Sequence, residues 1–352
     1  MTAVCPGCSV TEGGYSVLFP EASDSRFLDR YMAQIPASEW KRFGGGRVWL
    51  KEKPFYEMLD YALAHLQDTG ILAAPSAKQD APVEQVLMLP LEHFLAHREA
   101  HWIDDVIRHA AIQTQFQPIV RAEGNVIRTA GYELLSRGVD EQGGLIPPNR
   151  LFEAARVRNR LFALDRVCRL EAVRQASGLQ DALVFINFLP TSIYNPEHCL
   201  QSTFQMVRQS GLEPSNIVFE VVESEEIKNM DHLRTILEYY KKHGFRFALD
   251  DVGTGYNSLQ VLAELKPEVV KLAIEYTRGV SNDPDKYRVA QAVLDMTRGM
   301  GSQALAEGVE NREDYEVLLA MGYDLFQGYY FGKPGPKPVG YGGAGLVAEQ
   351  VK

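Results

Sequence analysis

The sequence predicts an α/β protein in which eight strands wrapped by helices close into a barrel, with a small α+β module ahead of it. Three observations carry that expectation. From Phe116 onward, short β-branched or aromatic runs alternate with longer amphipathic stretches. The first two of these runs are joined by a link too short for a parallel crossover. Residues 1–110 lack the alternation altogether.

The leading module, residues 1–110, has a loop-rich start, a glycine cluster at Gly44–Gly46, a helical stretch Tyr56–Gln67 and a Pro/Ala/Ser segment at Ala73–Pro82. Its aromatic residues, among them Tyr15, Phe19, Trp49 and Phe55, are dense enough to form a core. A helix over Pro90–Thr114 is expected to lead into the barrel, because apolar spacing continues through Trp102, Ile103, Val106 and Ile107. The module has no recognised sensor motif, and its role is expected to be sensory or regulatory.

The barrel is expected over residues 111–335, with strands at Phe116–Val120, Ala130–Leu135, Leu183–Phe188, Ile217–Val222, Arg246–Asp250, Val269–Leu272, Gln303–Ala306 and Leu325–Tyr330. Helical segments at Leu151–Gln175, Asp231–His243, Tyr287–Met300 and Arg312–Met321 lie between them. Only Arg121 to Thr129 separates the first strand from the second, and a parallel crossover needs about a dozen residues. The first strand is therefore expected to run antiparallel, which makes a modified TIM-type (β/α)8 barrel. The Gly- and Pro-rich stretch 336–352 reads as a flexible tail.

Hydrophobic residues at 45% and charged residues at 23% are the balance of an ordinary globular protein, and no apolar run reaches membrane-spanning length. The first residues lack a basic region followed by an apolar stretch, so a cytoplasmic protein without membrane insertion is expected. A net charge of −10 without a basic run speaks against a long nucleic acid as partner. Cys168 and Cys199 sit among apolar residues and read as reduced core thiols. Cys5 and Cys8 have the spacing of half a zinc site, but read as free thiols for want of a second pair. His93, His97 and His101, spaced by four, would share one helical face, where two neighbours could hold a metal; a polar face is the commoner use.

The chemistry lies elsewhere. Glu133, Asn187, Glu220, Asp250, Asp251 and Glu307 recur at the ends of successive strands, and in a barrel those ends share one mouth. So many carboxylates cannot ionise together without raised pKa values or bound cations, and hard oxygen ligands suit magnesium or manganese. Two such ions could clamp the attacking and leaving oxygens of a phosphodiester. Lys271, at the end of the sixth strand, is placed to orient or activate the attacking water.

Several segments, in order, resemble the motifs of EAL-domain cyclic di-GMP phosphodiesterases over roughly residues 112–335: Gln-Pro-Ile from Gln117, Glu-Leu-Leu-Ser-Arg from Glu133 to Arg137, Asn187, Phe-Glu-Val-Val-Glu-Ser around Glu220, Asp-Asp-Val-Gly-Thr-Gly from Asp250, Ala-Glu-Gly-Val-Glu around Glu307, and Gln-Gly-Tyr from Gln327. The resemblance implies hydrolysis of cyclic di-GMP to linear pGpG with two divalent cations, Mg2+ or Mn2+. It implies one ion on Glu133, Asn187, Glu220 and Asp250, and a second on Asp250, Asp251 and Glu307. Lys271 would contact the water, Arg137 a phosphate, and Gln117 and Gln327 the nucleotide. Glu133 and Glu307 thereby join Lys271 as catalytic residues, Glu223 and Glu310 support the Asp-Asp loop, and the barrel forms a homodimer.

Two positions depart from the family pattern. Leu134 replaces the signature alanine, and Ala273 stands where an acid usually follows two residues after the lysine. On a strand Ala273 and Lys271 face the same side, so the mouth lacks one carboxylate. The alternative reading is accordingly a catalytically impaired receptor for cyclic di-GMP.

Overall fold

The computed structural model describes residues 13–20, 25–65, 70–76, 83–124, 126–221, 229–254, 258–340 and 346–347. The chain divides into two compact units, Met1–Arg108 with Phe152–Arg160, and His109–Leu151 with Leu161–Lys352. The division differs from the expected boundary because a short segment from within the barrel sequence belongs to the first unit.

In the first unit, β1 (Gly14–Leu18), α1 (Ser25–Met32), β2 (Trp40–Arg42), β3 (Arg47–Lys51), α2 (Glu52–His65) and β4 (Leu72–Ser76) follow in that order. The strands form an antiparallel sheet in the order β2-β3-β1-β4, extended at one edge by β5 (Leu89–Pro90). This is a split β-α-β arrangement, and the expected α+β module is present. Phe55, Met58, Leu59 and Ala62 recur at helical spacing on α2 and are all buried. They join Tyr15, Val17 and Phe19, alternate residues of β1 and its continuation, in one core. Tyr15 stacks on Phe55 with ring centroids 3.9 Å apart, and Phe94 meets both edge-on.

The single helix expected over Pro90–Thr114 is instead two short ones, α3 (Phe94–Glu99) and α4 (Trp102–Arg108). Ala110 then turns the chain at φ +49°, and Ile112 to Thr114 already belong to the first barrel strand. His93 ends a one-turn 3-10 segment, His97 lies in α3 and His101 lies between the two helices. They do not share the face of one continuous helix, and His97 packs against the rings of Phe94 and Tyr15. Cys5 and Cys8 lie outside the described residues.

In the second unit, β6 (Ile112–Glu123), β7 (Val126–Val139) and β8 (Leu145–Ile146) come first. Then α5 (Pro148–Val157) and α6 (Leu161–Gln175) replace the one helix expected over Leu151–Gln175, the interruption falling at Asn159, whose φ is +54°. There follow β9 (Leu183–Phe188), α7 (Pro196–Cys199), α8 (Gln201–Ser210), β10 (Ile217–Val221), α9 (Met230–Lys242), β11 (Arg246–Val252), α10 (Ser258–Leu265), β12 (Val269–Leu272), α11 (Ile274–Thr277), α12 (Pro284–Gly299), β13 (Gln303–Ala306), α13 (Arg312–Met321) and β14 (Leu325–Gln327). Helix starts carry their caps: Asn229, Asp283 and Asn311 each accept a hydrogen bond from a backbone N–H of the first turn.

Strands β7-β6-β14-β13-β12-β11-β10-β9 are neighbours in that order, and pairing of β7 with β9 closes the barrel. β6 runs antiparallel to both β7 and β14, as the short first connection requires, and the remaining pairs are parallel. Ile119, Leu183, Phe185, Val218, Ala248, Val269, Leu305 and Leu325 form a dry layer across the barrel strands. Gly131 lets β9 approach, since a Cβ there would lie 2.4 Å from the Leu183 carbonyl oxygen.

The stretch expected as a flexible tail makes contacts of its own. Tyr132 donates to the Val339 carbonyl at 2.8 Å and β15 (Leu346–Val347) pairs with β7, while Gly335, just ahead of the stretch, pairs with Phe116. Cys168 is buried and its thiol is pushed up to about 12 by burial, in keeping with an inert core cysteine. Among the described residues, no helix is long and apolar enough to cross a membrane.

Phe185→Ala should lower the unfolding free energy by about 3–5 kcal/mol, because the barrel layer cannot collapse around the lost ring; urea denaturation of the full chain checks this. Burial holds the His97 imidazole at about 4, below its ordinary 6.5. A folded-state value below the unfolded one means stability is fully present above about pH 6.5 and is lost as pH falls toward about 4. His97→Gln should flatten that slope in thermal unfolding curves.

Candidate active site

The period of two along a strand builds the site. On six of the barrel strands, two positions along from a residue of the dry layer and on the same face, stands a polar one. Phe185 is followed by Asn187, Val218 by Glu220, Ala248 by Asp250, Val269 by Lys271, Leu305 by Glu307 and Leu325 by Gln327. On the reversed strand β6 the order inverts, so Gln117 precedes Ile119 and pairs in register with Glu133 of β7. The polar residues therefore form a layer stacked on the apolar one.

Lys271 is fully buried at its centre. Its Nζ lies 2.6 Å from Glu220 Oε1, 3.0 Å from Asp250 Oδ1 and 3.9 Å from Glu133 Oε2, and it also contacts Glu307 Oε1. Burial alone would push the lysine pKa down, but Asp250, Glu133, Glu220 and Glu307 together raise it well above the ordinary value. The acids respond unequally. Burial, then the neighbouring Glu133 charge, drives Glu220 well above the carboxylate range; burial and then Asp250 do the same to Glu307. Glu133 is also penalised most by burial, yet Lys271 and hydrogen bonds from Gln327 and Asn187 hold it below its ordinary value. Asn187 Nδ2 donates to Glu133 Oε1 at 2.8 Å, and Gln327 Nε2 donates to Glu133 Oε2 at 2.6 Å and to Gln117 Oε1 at 3.1 Å.

Adjacent strand residues ordinarily face opposite sides, so Asp250 and Asp251 should not share a mouth. A register shift between Leu249 and Val252 breaks the alternation, and Asp251 takes φ +53°. A non-glycine residue in that region stores strain, and a bulge re-aims side chains. Asp250, Asp251 and Glu307 consequently bring one carboxylate oxygen each within 4.8 Å of one another. Burial, then the Asp250 charge, raises the Asp251 pKa.

A pocket of about 260 Å3 opens beside this layer, with Gln117, Glu133, Glu307, Gln327, Ile274 and Arg278 in its wall. Arg137 is half-buried, and burial lowers its pKa against the opposing effect of the Glu133 charge. Behind Asn187, Asp165 of α6 accepts from Leu189 N at 2.9 Å and from Ser192 Oγ at 2.5 Å, which fixes the turn that follows the strand.

The structure thus brings Glu133, Asn187, Glu220, Asp250, Asp251, Lys271, Glu307, Gln117 and Gln327 together. Glu310 lines the same pocket and is paired with Arg278. Glu223 lies outside the described residues. Ala273 lies one residue past the end of β12, at the N-cap of α11, and is buried; it carries no carboxylate there. Leu134 is buried in the apolar cluster outside the polar layer, as alternation required. Sequence reasoning missed Arg278 and Ile274, which enter the wall through α11 and the turn after it and carry no motif of their own.

A buried lysine ringed by acids and amides stands at one end of a closed barrel with one reversed strand, and its hard oxygen donors are of the kind that suit divalent cations. The chain matches the EAL domain over residues 100–334 and belongs to that family. It is 30% identical over 236 residues to the probable cyclic di-GMP phosphodiesterase PdeG of Escherichia coli, covering 65% of this chain and 45% of that protein. Identity to the bifunctional diguanylate cyclase/cyclic di-GMP phosphodiesterase MucR of Pseudomonas aeruginosa is 27% over 241 residues, 67% of this chain and 35% of that one. The chain therefore spans less than half the length of these two curated relatives. A standalone EAL protein from Vibrio cholerae, solved in its c-di-GMP-bound form, is 33% identical with a TM-score of 0.57, covering 64% of this chain and 92% of the other. The MucR phosphodiesterase in its c-di-GMP complex gives 26% identity and a TM-score of 0.60 over 68% of this chain and 98% of the other.

Replacing the central ammonium, Lys271→Met, should cost about 3–5 kcal/mol of stability in the presence of a chelator, because the buried carboxylates lose their partner. Urea unfolding measures the loss, and added Mn2+ should recover part of it.

Proposed function

We propose that this barrel hydrolyses cyclic di-GMP to linear pGpG with the help of two divalent cations, Mg2+ or Mn2+. The observation that carries the proposal is the charge balance of the buried layer: four carboxylates face a single ammonium. Glu220 is fully buried, yet neither of its oxygens has a hydrogen-bond partner beyond the ion-pair contact to Lys271. Such a hard, under-satisfied oxygen set fits divalent cations.

Glu133, Asn187, Glu220 and Asp250 would hold one ion, and Asp250, Asp251 and Glu307 the other. When bound, the cations would supply charge neutralisation at the phosphodiester and acidify water at the site. Lys271 donates hydrogen bonds from Nζ and so can hold the attacking water in line. Glu133 is positioned for its part by the amides of Asn187 and Gln327. Gln117 and Gln327 offer amide groups to the nucleotide, and Arg137 offers a cation to a phosphate. Glu310, paired with Arg278, would steady the loop that follows Asp251, with Glu223 in the same supporting role. The homodimer and the cytoplasmic setting expected from the sequence belong to the same proposal.

A second reading, a receptor that binds cyclic di-GMP without turning it over, is favoured by Ala273. An acid lost beside the second ion's ligands would weaken that ion or slow water activation.

Incubation of the full chain with cyclic di-GMP and Mg2+ or Mn2+, resolved by chromatography, should yield pGpG that disappears with a chelator. Glu133→Gln should lower the rate by more than the roughly 10–100-fold that loss of a supporting residue costs. Binding without product would select the receptor reading, in which case Ala273→Asp is the variant expected to restore turnover. Chelator-insensitive product, or full activity in Glu133→Gln, would sink both the mechanism and the ligand assignment.

A further inference from the structure

The pocket beside the polar layer is walled by two kinds of residue, all of them in the second unit. Gln117, Glu133, Glu307 and Gln327 belong to the layer itself. Ile274, Arg278, Glu310 and Tyr329 complete the wall, and none of them has yet been given a contact to substrate. At about 260 Å3 the pocket is smaller than the roughly 300–1,000 Å3 of sites that enclose a drug-sized molecule, so it takes one part of a cyclic dinucleotide. With the phosphodiester at the carboxylates, the parts that neighbour it are ribose and base.

Two of the four residues are apolar surface open to solvent: Ile274 is 41% exposed and Tyr329 55%. Ile274 packs against Gly308, next in the chain to Glu307, where a Cβ would collide with it. Lys333 Nζ lies 5.2 Å over the Tyr329 ring, which steadies the ring without burying it. Exposed apolar surface at the edge of a polar pocket suits the flat face of a base better than a sugar or a phosphate.

The other two residues are charged and answer each other. Arg278 Nη2 contacts Glu310 Oε1, and the two side chains are 56% and 36% exposed. Among the described residues Glu310 is the only side-chain partner of this guanidinium, so most of its donors face solvent. Because Glu310 matches its charge, Arg278 is poorly suited to a phosphate, but its remaining donors still suit neutral acceptors. A guanidinium edge reaches two acceptors side by side, and guanine presents such a pair at O6 and N7. Adenine carries an amino group in place of O6, which would set donor against donor.

We propose that Arg278 selects guanine, donating to O6 and N7 of a base that lies on Ile274 and Tyr329, while Glu310 holds the guanidinium in place. The assignment rests on the cyclic di-GMP reading above and adds to it the residue that tells guanine from adenine. Arg278 binds substrate and takes no part in the hydrolysis.

Calorimetry on the full chain with cyclic di-GMP and with cyclic di-AMP, in a chelator and again with Ca2+, tests this through binding and does not depend on turnover. The unaltered chain should bind cyclic di-GMP at least about tenfold more tightly, within the range a bidentate arginine–guanine contact contributes. Arg278→Ala should weaken cyclic di-GMP by at least about tenfold and leave cyclic di-AMP unchanged, whereas a merely loosened pocket would weaken both. Arg278→Lys should behave as the alanine variant does, since an ammonium keeps the charge without the fork; a phosphate contact would survive that exchange. A measurement that needs no variant is the 7-deazaguanine analogue of cyclic di-GMP, which lacks the N7 acceptor and should bind the unaltered chain roughly fivefold more weakly. If neither dinucleotide binds in either condition, the functional reading falls and the assignment with it. If cyclic di-GMP binds, the assignment alone is overturned by any of four results: no preference over cyclic di-AMP, a preference that persists in Arg278→Ala, equal weakening of both ligands in that variant, or a 7-deazaguanine analogue that binds as well as the parent.

Discussion

The barrel's mouth is organised around one buried ammonium. Lys271 is the only cation within the polar layer's ion-pair network among the described residues, and it contacts Glu133, Glu220, Asp250 and Glu307. Burying even one charge is costly, and burying several acids at one end of a barrel is tolerable only if their repulsion is offset. The lysine does this in part. The remainder appears as carboxylates pushed toward their protonated forms, a condition that the divalent cations proposed above would relieve.

That arrangement depends on the layer beneath it. The apolar plug of Phe185, Val218, Ala248, Val269, Leu305 and Leu325 excludes water and fixes where each strand stands. Because side chains repeat every two residues, a strand that packs its hydrophobic residue in the plug must deliver the next inward residue to the mouth. Stability and site geometry are thus coupled by register. Asp251 escapes the rule, and does so through backbone strain at φ +53° and a bulge, a cost consistent with a functional position.

Much of this was legible in the chain. The strand positions, the reversed first strand and the recurrence of Glu133, Asn187, Glu220, Asp250 and Glu307 follow from local patterning and from loop length. Other features were hidden. A helix over Leu151–Gln175 looks continuous in its apolar spacing, but Asn159 turns it, near the end of the segment Phe152–Arg160 that belongs to the first unit. The expected helix from Pro90 to Thr114 is broken between Glu99 and Trp102 and ends at Arg108, ahead of the first barrel strand, which begins at Ile112. Three histidines spaced by four suggested one face, which required a helix that the break at Ala100 and His101 does not supply.

The sequence by itself determined which residues face inward, because strand periodicity and short connections are local properties of the chain. It also determined the family, through motifs whose residue types and order are specific together. Only the tertiary structure decided how the charges are shared, since the distances from Lys271 to four acids on, or one residue past, four other strands depend on barrel closure. The same holds for the first unit, where Tyr15, Glu52, Asp104 and Arg158 are far apart in the chain. Their meeting in one group of hydrogen bonds and ion pairs follows from packing, which no local pattern records.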